Sequence, residues 1–103
     1  MPWVRMSLMK PKTGRGAEVD QLLTELADYF AEQDGFLEGY LLRAKDGLVG
    51  RVTVWETEAS ADHSAQSNHV MSVRSRLNPD VEEGSHEEHA FEGMHFARMT
   101  EKS

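Results

Sequence analysis

The sequence predicts an α+β domain of the ferredoxin-like type, a four-stranded antiparallel sheet with helices on one face. Three observations predict it. Apolar residues alternate or recur at helical spacing in the order β-α-β-β-α-β. An Asp46-Gly47 turn ties the two middle strands into a hairpin. The strands also carry apolar residues at both parities, more than helices on a single face can cover.

Trp3 to Met9 reads as the first strand, with Val4, Met6 and Leu8 on one face and Trp3, Arg5, Ser7 and Met9 on the other. Pro11 and Gly14 end it. A helix follows from about Gly16 to Gln33, because Val19, Leu22, Leu23, Leu26, Ala27 and Phe30 recur at i, i+3, i+4 spacing. Asp34-Gly35 stops it. Phe36 to Arg43 is the second strand, with Leu37 and Leu41 on one face and Phe36, Tyr40 and Leu42 on the other. Leu48 to Glu56 is the third, with Val52 and Val54 opposite Arg51, Thr53 and Trp55.

A second helix is expected from about Glu58 to Leu77, ending before Asn78-Pro79. Its inner stripe would be Ala59, His63, Gln66, Val70, Val73 and Leu77, with a break or kink at Ser67-Asn68. Asp80 to His86 reads as an acidic loop and Glu88 to Met99 as the fourth strand, where Phe91, His95 and Met99 share a face. The single domain is expected over residues 1–100, with a frayed tail over 101–103.

Helices that cover one sheet face leave the other bare. We expect the helices on the Val52 and Val54 side. Trp3, Met9, Phe36, Tyr40, Leu42 and Trp55 would then form an exposed apolar patch. A homodimer that buries sheet against sheet would cover it and leave pockets where the sheets bow apart.

Composition narrows the function. The 103 residues carry a formal charge of −7 with scattered basic residues, which argues against a nucleic-acid partner. The absence of cysteine excludes disulfides, thiolate metal sites and a cysteine nucleophile. No signal-peptide pattern and no membrane-spanning apolar run is present, so the expectation is a soluble cytoplasmic protein without a membrane partner.

Asp34-Gly35-Phe36-Leu37-Glu38-Gly39-Tyr40 resembles the helix-to-strand turn of the antibiotic biosynthesis monooxygenase (ABM) family. Trp55-Glu56, His63 and Ser67-Asn68-His69 are similar in order and spacing to that family's Trp, His and Ser-x-His pattern. The resemblance spans about Trp3 to His69. It implies a dimeric α+β barrel and activities that include cofactor-free oxygenation of quinols and aromatic polyketides, haem degradation and other small-molecule metabolism. Haem-degrading relatives use an asparagine on the first strand and a histidine on the second helix. No Asn lies between Trp3 and Met9, and the histidine position falls near Arg74, so haem chemistry is not expected.

The candidate chemistry is sparse. Trp55, at the end of a strand, is a packing residue of the barrel or the wall of an aromatic pocket. His63 and His69 are separated by about 240° on a continuous helix, so they would not act together. His63 falls on the inner stripe, and His69 could reach the pocket rim as a general base. Arg5 or Arg51 either pairs with Glu38 or binds an oxyanion or phenolate. His86-Glu87-Glu88-His89 has the wrong spacing for a metal on a strand and sits among five carboxylates between residues 80 and 88, so no metal site is assigned.

The reading that follows is a monooxygenase needing no cofactor, acting on a quinol or aromatic polyphenol. His69 and Arg51 would be catalytic, and Trp55, Tyr40, His63, Arg5 and His95 would bind the small aromatic molecule. The alternatives are a non-catalytic ligand-binding or stress-related dimer, and a small-molecule isomerase or lyase.

Overall fold

The structure, a computed structural model, describes residues 1–97. The expected Met99 position on the last strand and the expected tail over 101–103 lie outside these residues. The elements are β1 (Trp3–Met9), α1 (Gly16–Ala31), β2 (Phe36–Arg43), β3 (Val49–Trp55), α2 (Glu58–Ala65), α3 (Asn68–Leu77), a short 3-10 turn (Asn78–Asp80) and β4 (Glu87–Glu92). All strand pairs are antiparallel in the order β2-β3-β1-β4, the ferredoxin-like arrangement. No helix among the described residues is long and apolar enough to cross a membrane.

The helical stripe of α1 buries Val19, Leu22, Leu23, Leu26 and Phe30 against the sheet and α3. Val70, Val73 and Leu77 of α3 complete this core. Strands β1 and β3 approach closely at Gly50. A Cβ there would overlap the carbonyl oxygen of Ser7, so this position of β3 requires glycine.

The second helical region is two helices. Thr57 caps α2 by accepting the Ser60 amide at 3.1 Å, and Ser67 caps α3 by accepting the Val70 amide at 3.2 Å. The break expected at Ser67-Asn68 is therefore a true restart of the helix.

One expectation is reversed. The helices cover the face that carries Trp55, Thr53 and Arg51, not the face of Val52 and Val54. Trp55 is 1% exposed and stands edge-on to Phe30 and Phe36, with ring centroids 5.8 and 5.4 Å away. Met9 is buried in the same core, and Trp3 packs against it. Large aromatic area under α1 outweighs the two valines, because a buried indole removes far more apolar surface from water.

Phe36 is corrected for a second reason. A register irregularity between Phe36 and Glu38 moves Phe36 to the helix side while Tyr40 and Leu42 stay on the outer side. The uncovered face consequently carries Val4, Met6, Leu8, Val52, Val54, Tyr40, Leu42 and Phe91, by the pairing of Val4 with Val54 and Phe91, and of Tyr40 with Val52.

Candidate active site

The helix-covered face of the sheet is polar at its centre. Arg5 and Ser7 of β1, Arg51 and Thr53 of β3 and Glu88 of β4 all point to this side, since Arg5 pairs with Thr53, and Ser7 with both Arg51 and Glu88. Arg74 of α3 joins them from above, where it and Arg51 line one inner crevice with Phe30 and Trp55.

Arg51 is the centre of this group. It is 9% exposed, and its Nε is buried with no hydrogen-bond partner among the described residues. Its guanidinium carbon lies 5.2 Å from the centre of the Phe30 ring, a cation–π contact. Burial, reinforced by the guanidiniums of Arg74 and Arg5 and opposed by Glu88, pulls Arg51 down from its ordinary value to about 10.

The neighbours of Arg51 hold partners of their own. Arg5 faces Asp62 of α2 at 3.2 Å. Glu88 accepts the Ser7 hydroxyl at 2.8 Å and lies 3.4 Å from Arg74. Burial works to raise the Glu88 carboxyl, but the Ser7 hydrogen bond and the charges of Arg74, His86 and Arg51 hold it below its ordinary value. Thr53 Oγ1 accepts the Trp55 indole N–H at 2.9 Å, which leaves the Thr53 hydroxyl proton free to be donated.

Besides that crevice, two larger spaces open beside Arg51. Between α1 and the β2–β3 pair lies a pocket of about 280 Å³, lined by Ala27, Ala31, Phe36, Leu41, Thr53 and Arg51. Its volume is at the lower end for small-molecule sites and suits one or two aromatic rings. On the other side, toward β4, a cleft of about 90 Å³ is lined by Arg5, Ser7, Arg51, Glu88 and Ala90.

Of the residues singled out from sequence, the structure brings Arg5, Arg51 and Trp55 together. Trp55 is a core residue beneath the site and reaches it through Thr53. Tyr40 borders the α1 pocket but is 59% exposed on the outer side, where its hydroxyl donates to Glu38 at 2.7 Å. That hydrogen bond and the Glu38 charge push its phenol above its ordinary value. Glu38 is thereby on the opposite sheet face from Arg5 and Arg51, and the pairing considered between them does not form.

The histidines are placed elsewhere. His63 is exposed, because the buried positions of α2 are Ala61 and Ser64. His69 is exposed in the first turn of α3 and stacks on Tyr29 at 4.6 Å, lining neither space beside Arg51. His95 lies past the end of β4 and is exposed.

Arg74 and Glu88 were missed. Arg74 adjoins Val73 and follows Val70 by one helical turn, which places it on the inner flank of α3. Glu88 alternates with the outward Phe91 parity of β4, but its register with Ser7 depends on a pairing 81 residues apart.

Residues 3–76 match the family profile described as "Antibiotic biosynthesis monooxygenase". Among solved structures, the chain is similar to Rv0793 from Mycobacterium tuberculosis, with a TM-score of 0.85, 14% identity, and 95% of this chain and 100% of that one covered. It is also similar to SnoaB from Streptomyces nogalater, described as a cofactor-independent oxygenase, with a TM-score of 0.77, 21% identity and coverage of 96% and 95%. A conserved protein from Methanosarcina mazei Go1 aligns with a TM-score of 0.81, 14% identity and coverage of 88% and 91%. At these identities the likeness carries the fold and not the chemistry. The comparison with curated protein sequences gives no match.

Proposed function

The chain belongs to the antibiotic biosynthesis monooxygenase family, and from that premise we propose that it is a cofactor-independent monooxygenase of a small aromatic quinol or polyphenol. The observation that carries this reading is the buried Arg51 guanidinium with its unpartnered Nε beside an apolar, ring-sized pocket. A buried cation bordering such a pocket stabilises an oxyanion better than it would in water, because the low dielectric strengthens the attraction. The description of the matching family profile names the same reaction class.

In this reading the ring enters between Ala27, Ala31 and Phe36, and its phenolic oxygen meets Arg51 and the Thr53 hydroxyl. The Arg51 charge favours the phenolate, and Asp28 at the pocket border is the carboxylate placed to take the proton. An electron-rich phenolate is the reductant. A ring CH2 of its keto tautomer becomes C=O with one atom of dioxygen, and the other atom leaves as water. The substrate carbon supplies all four electrons.

The working form in this proposal is a homodimer. Its support is the outer sheet face, where Val4, Met6, Val52, Val54 and Phe91 have no helix over them.

Oxygen uptake with a panel of quinols and polycyclic phenols, with no flavin or metal added, tests the activity. Stoichiometric oxygen consumption with a carbonyl product is the expected outcome. Absence of turnover across the panel, or the same product formed without oxygen, rejects it in favour of a binding protein or an isomerase.

A further inference from the structure

The ring pocket beside Arg51 has a neighbour. Farther along the groove between α1 and β2 lies a second space of about 190 Å³, lined by Asp20, Leu23 and Thr24 of α1, Leu42 and Arg43 of β2 and Gly50 of β3. The two spaces follow one another along every element that walls them. On α1 the ring pocket takes Ala27, Asp28 and Ala31, about one to two turns beyond Thr24. On β3 it begins at Arg51, next to Gly50, and on β2 both spaces meet at Leu41. Among the described residues, Leu41 is the one residue common to the two linings.

The two ends of the ring pocket differ. Phe36 closes one end, with its ring edge-on to the buried Trp55 at 5.4 Å. Leu41 closes the other. It pairs with Arg51 in the β2–β3 ladder, so its side chain leaves the sheet on the helix-covered side. It is nevertheless 51% exposed and stands outside the core cluster. The same pairing puts it beside the group that would hold a phenolic oxygen. A flat ring system that meets Arg51 with its long edge can therefore extend along the groove only past Leu41. Beyond Leu41 the second space runs to the ion pair of Asp20 with Arg43.

We propose that Leu41 sets the number of rings: it ends the pocket so that one- and two-ring phenols are accepted and a third linearly fused ring is rejected. A third ring either meets the Leu41 side chain or swings out of the groove and forfeits its burial against α1. The inference rests on the oxygenase reading only for the seat of the phenolic oxygen, and its test needs no turnover.

The test is anaerobic titration of the full chain with 1-naphthol and 1-hydroxyanthracene, read by the fluorescence of the phenol. Both carry the hydroxyl on the long edge, so the long axis lies along the groove when the oxygen meets Arg51. The native chain is expected to bind 1-naphthol about tenfold or more tightly than 1-hydroxyanthracene, the scale on which a closed pocket rejects an excess group. Leu41→Ala should tighten 1-hydroxyanthracene about tenfold and change 1-naphthol by less than about threefold. Leu37→Ala, which truncates a leucine of the same strand that is 49% exposed and lines neither space, should change neither affinity. Equal native affinity for the two phenols overturns the proposal, as does binding of neither. A preference that survives Leu41→Ala, or that Leu37→Ala abolishes equally, also overturns it. A protein that shows the preference and its loss in Leu41→Ala yet consumes no oxygen leaves Leu41 in its role and rejects the oxygenase reading alone. Oxygen consumption together with equal affinity for both phenols does the reverse.

Discussion

The indole nitrogen of Trp55 donates a hydrogen bond to the hydroxyl of Thr53 at 2.9 Å, inside the covered face of β3. The bond sets which way the Thr53 proton points, so Trp55 acts on the pocket without touching it. Trp55→Phe keeps a ring between Phe30 and Phe36 but removes the donor. We expect a stability loss of about 1–2 kcal/mol in urea unfolding, from one lost hydrogen bond and a small cavity. Turnover should fall about tenfold, with the larger effect in kcat, because Thr53 is no longer oriented. Unchanged turnover in a folded variant counts against the role given to Thr53.

The outer sheet face offers a separate test. Val54 pairs with Val4 and Glu38 on the side no helix covers. A lysine there places a charge in the middle of the proposed subunit contact, where an unpaired charge is costly. The native chain is expected to sediment as a dimer at micromolar concentration and Val54→Lys as a monomer. A native monomer under those conditions removes the dimer from the account.

Glu88 makes a prediction about acid. Its carboxyl is held below its ordinary value, chiefly by the Ser7 hydroxyl and Arg74 acting against burial. A depressed carboxylate contributes stability that is present above its unfolded value and lost as the pH falls through its folded value. Glu88→Gln should therefore be less stable than the native chain at neutral pH. The gap should close as the pH drops below about 4, near the ordinary carboxylate range. A gap that stays constant down to pH 2 contradicts the ionic role. Thermal unfolding of both chains across that range decides it.

The order of the elements and the parity of β1 and β3 were legible in the sequence, because alternation is a local property, whereas the irregularity between Phe36 and Glu38 broke the expected parity of β2. Arg51, Thr53 and Trp55 share a face whichever side the helices take. Which side they take was not legible, since the deciding contact joins Phe30 to Trp55 across the chain. The polar residues beside Trp55 also made its face look like the uncovered one. The same long-range dependence hid the site: Arg74 and Glu88 meet only after α3 restarts at Ser67 and β4 pairs with β1. His69 stacks on Tyr29 of α1 and lines neither space beside Arg51, a contact between two helices that no spacing along one of them encodes.

The central claim is that Arg51 is buried for binding and chemistry at a cost to stability. Arg51→Met, measured in parallel by urea unfolding and by oxygen uptake with a responsive quinol, tests it directly. A base whose folded value is lowered to about 10 destabilises the fold wherever it is charged in both states, and that penalty is relieved as the pH rises through 10 toward the ordinary arginine range. The variant should therefore be more stable than the native chain by about 2 kcal/mol at pH 7, with the advantage fading above pH 10. Its oxygen uptake should fall about 100-fold or more. A variant that is less stable and still turns over at the native rate contradicts the account.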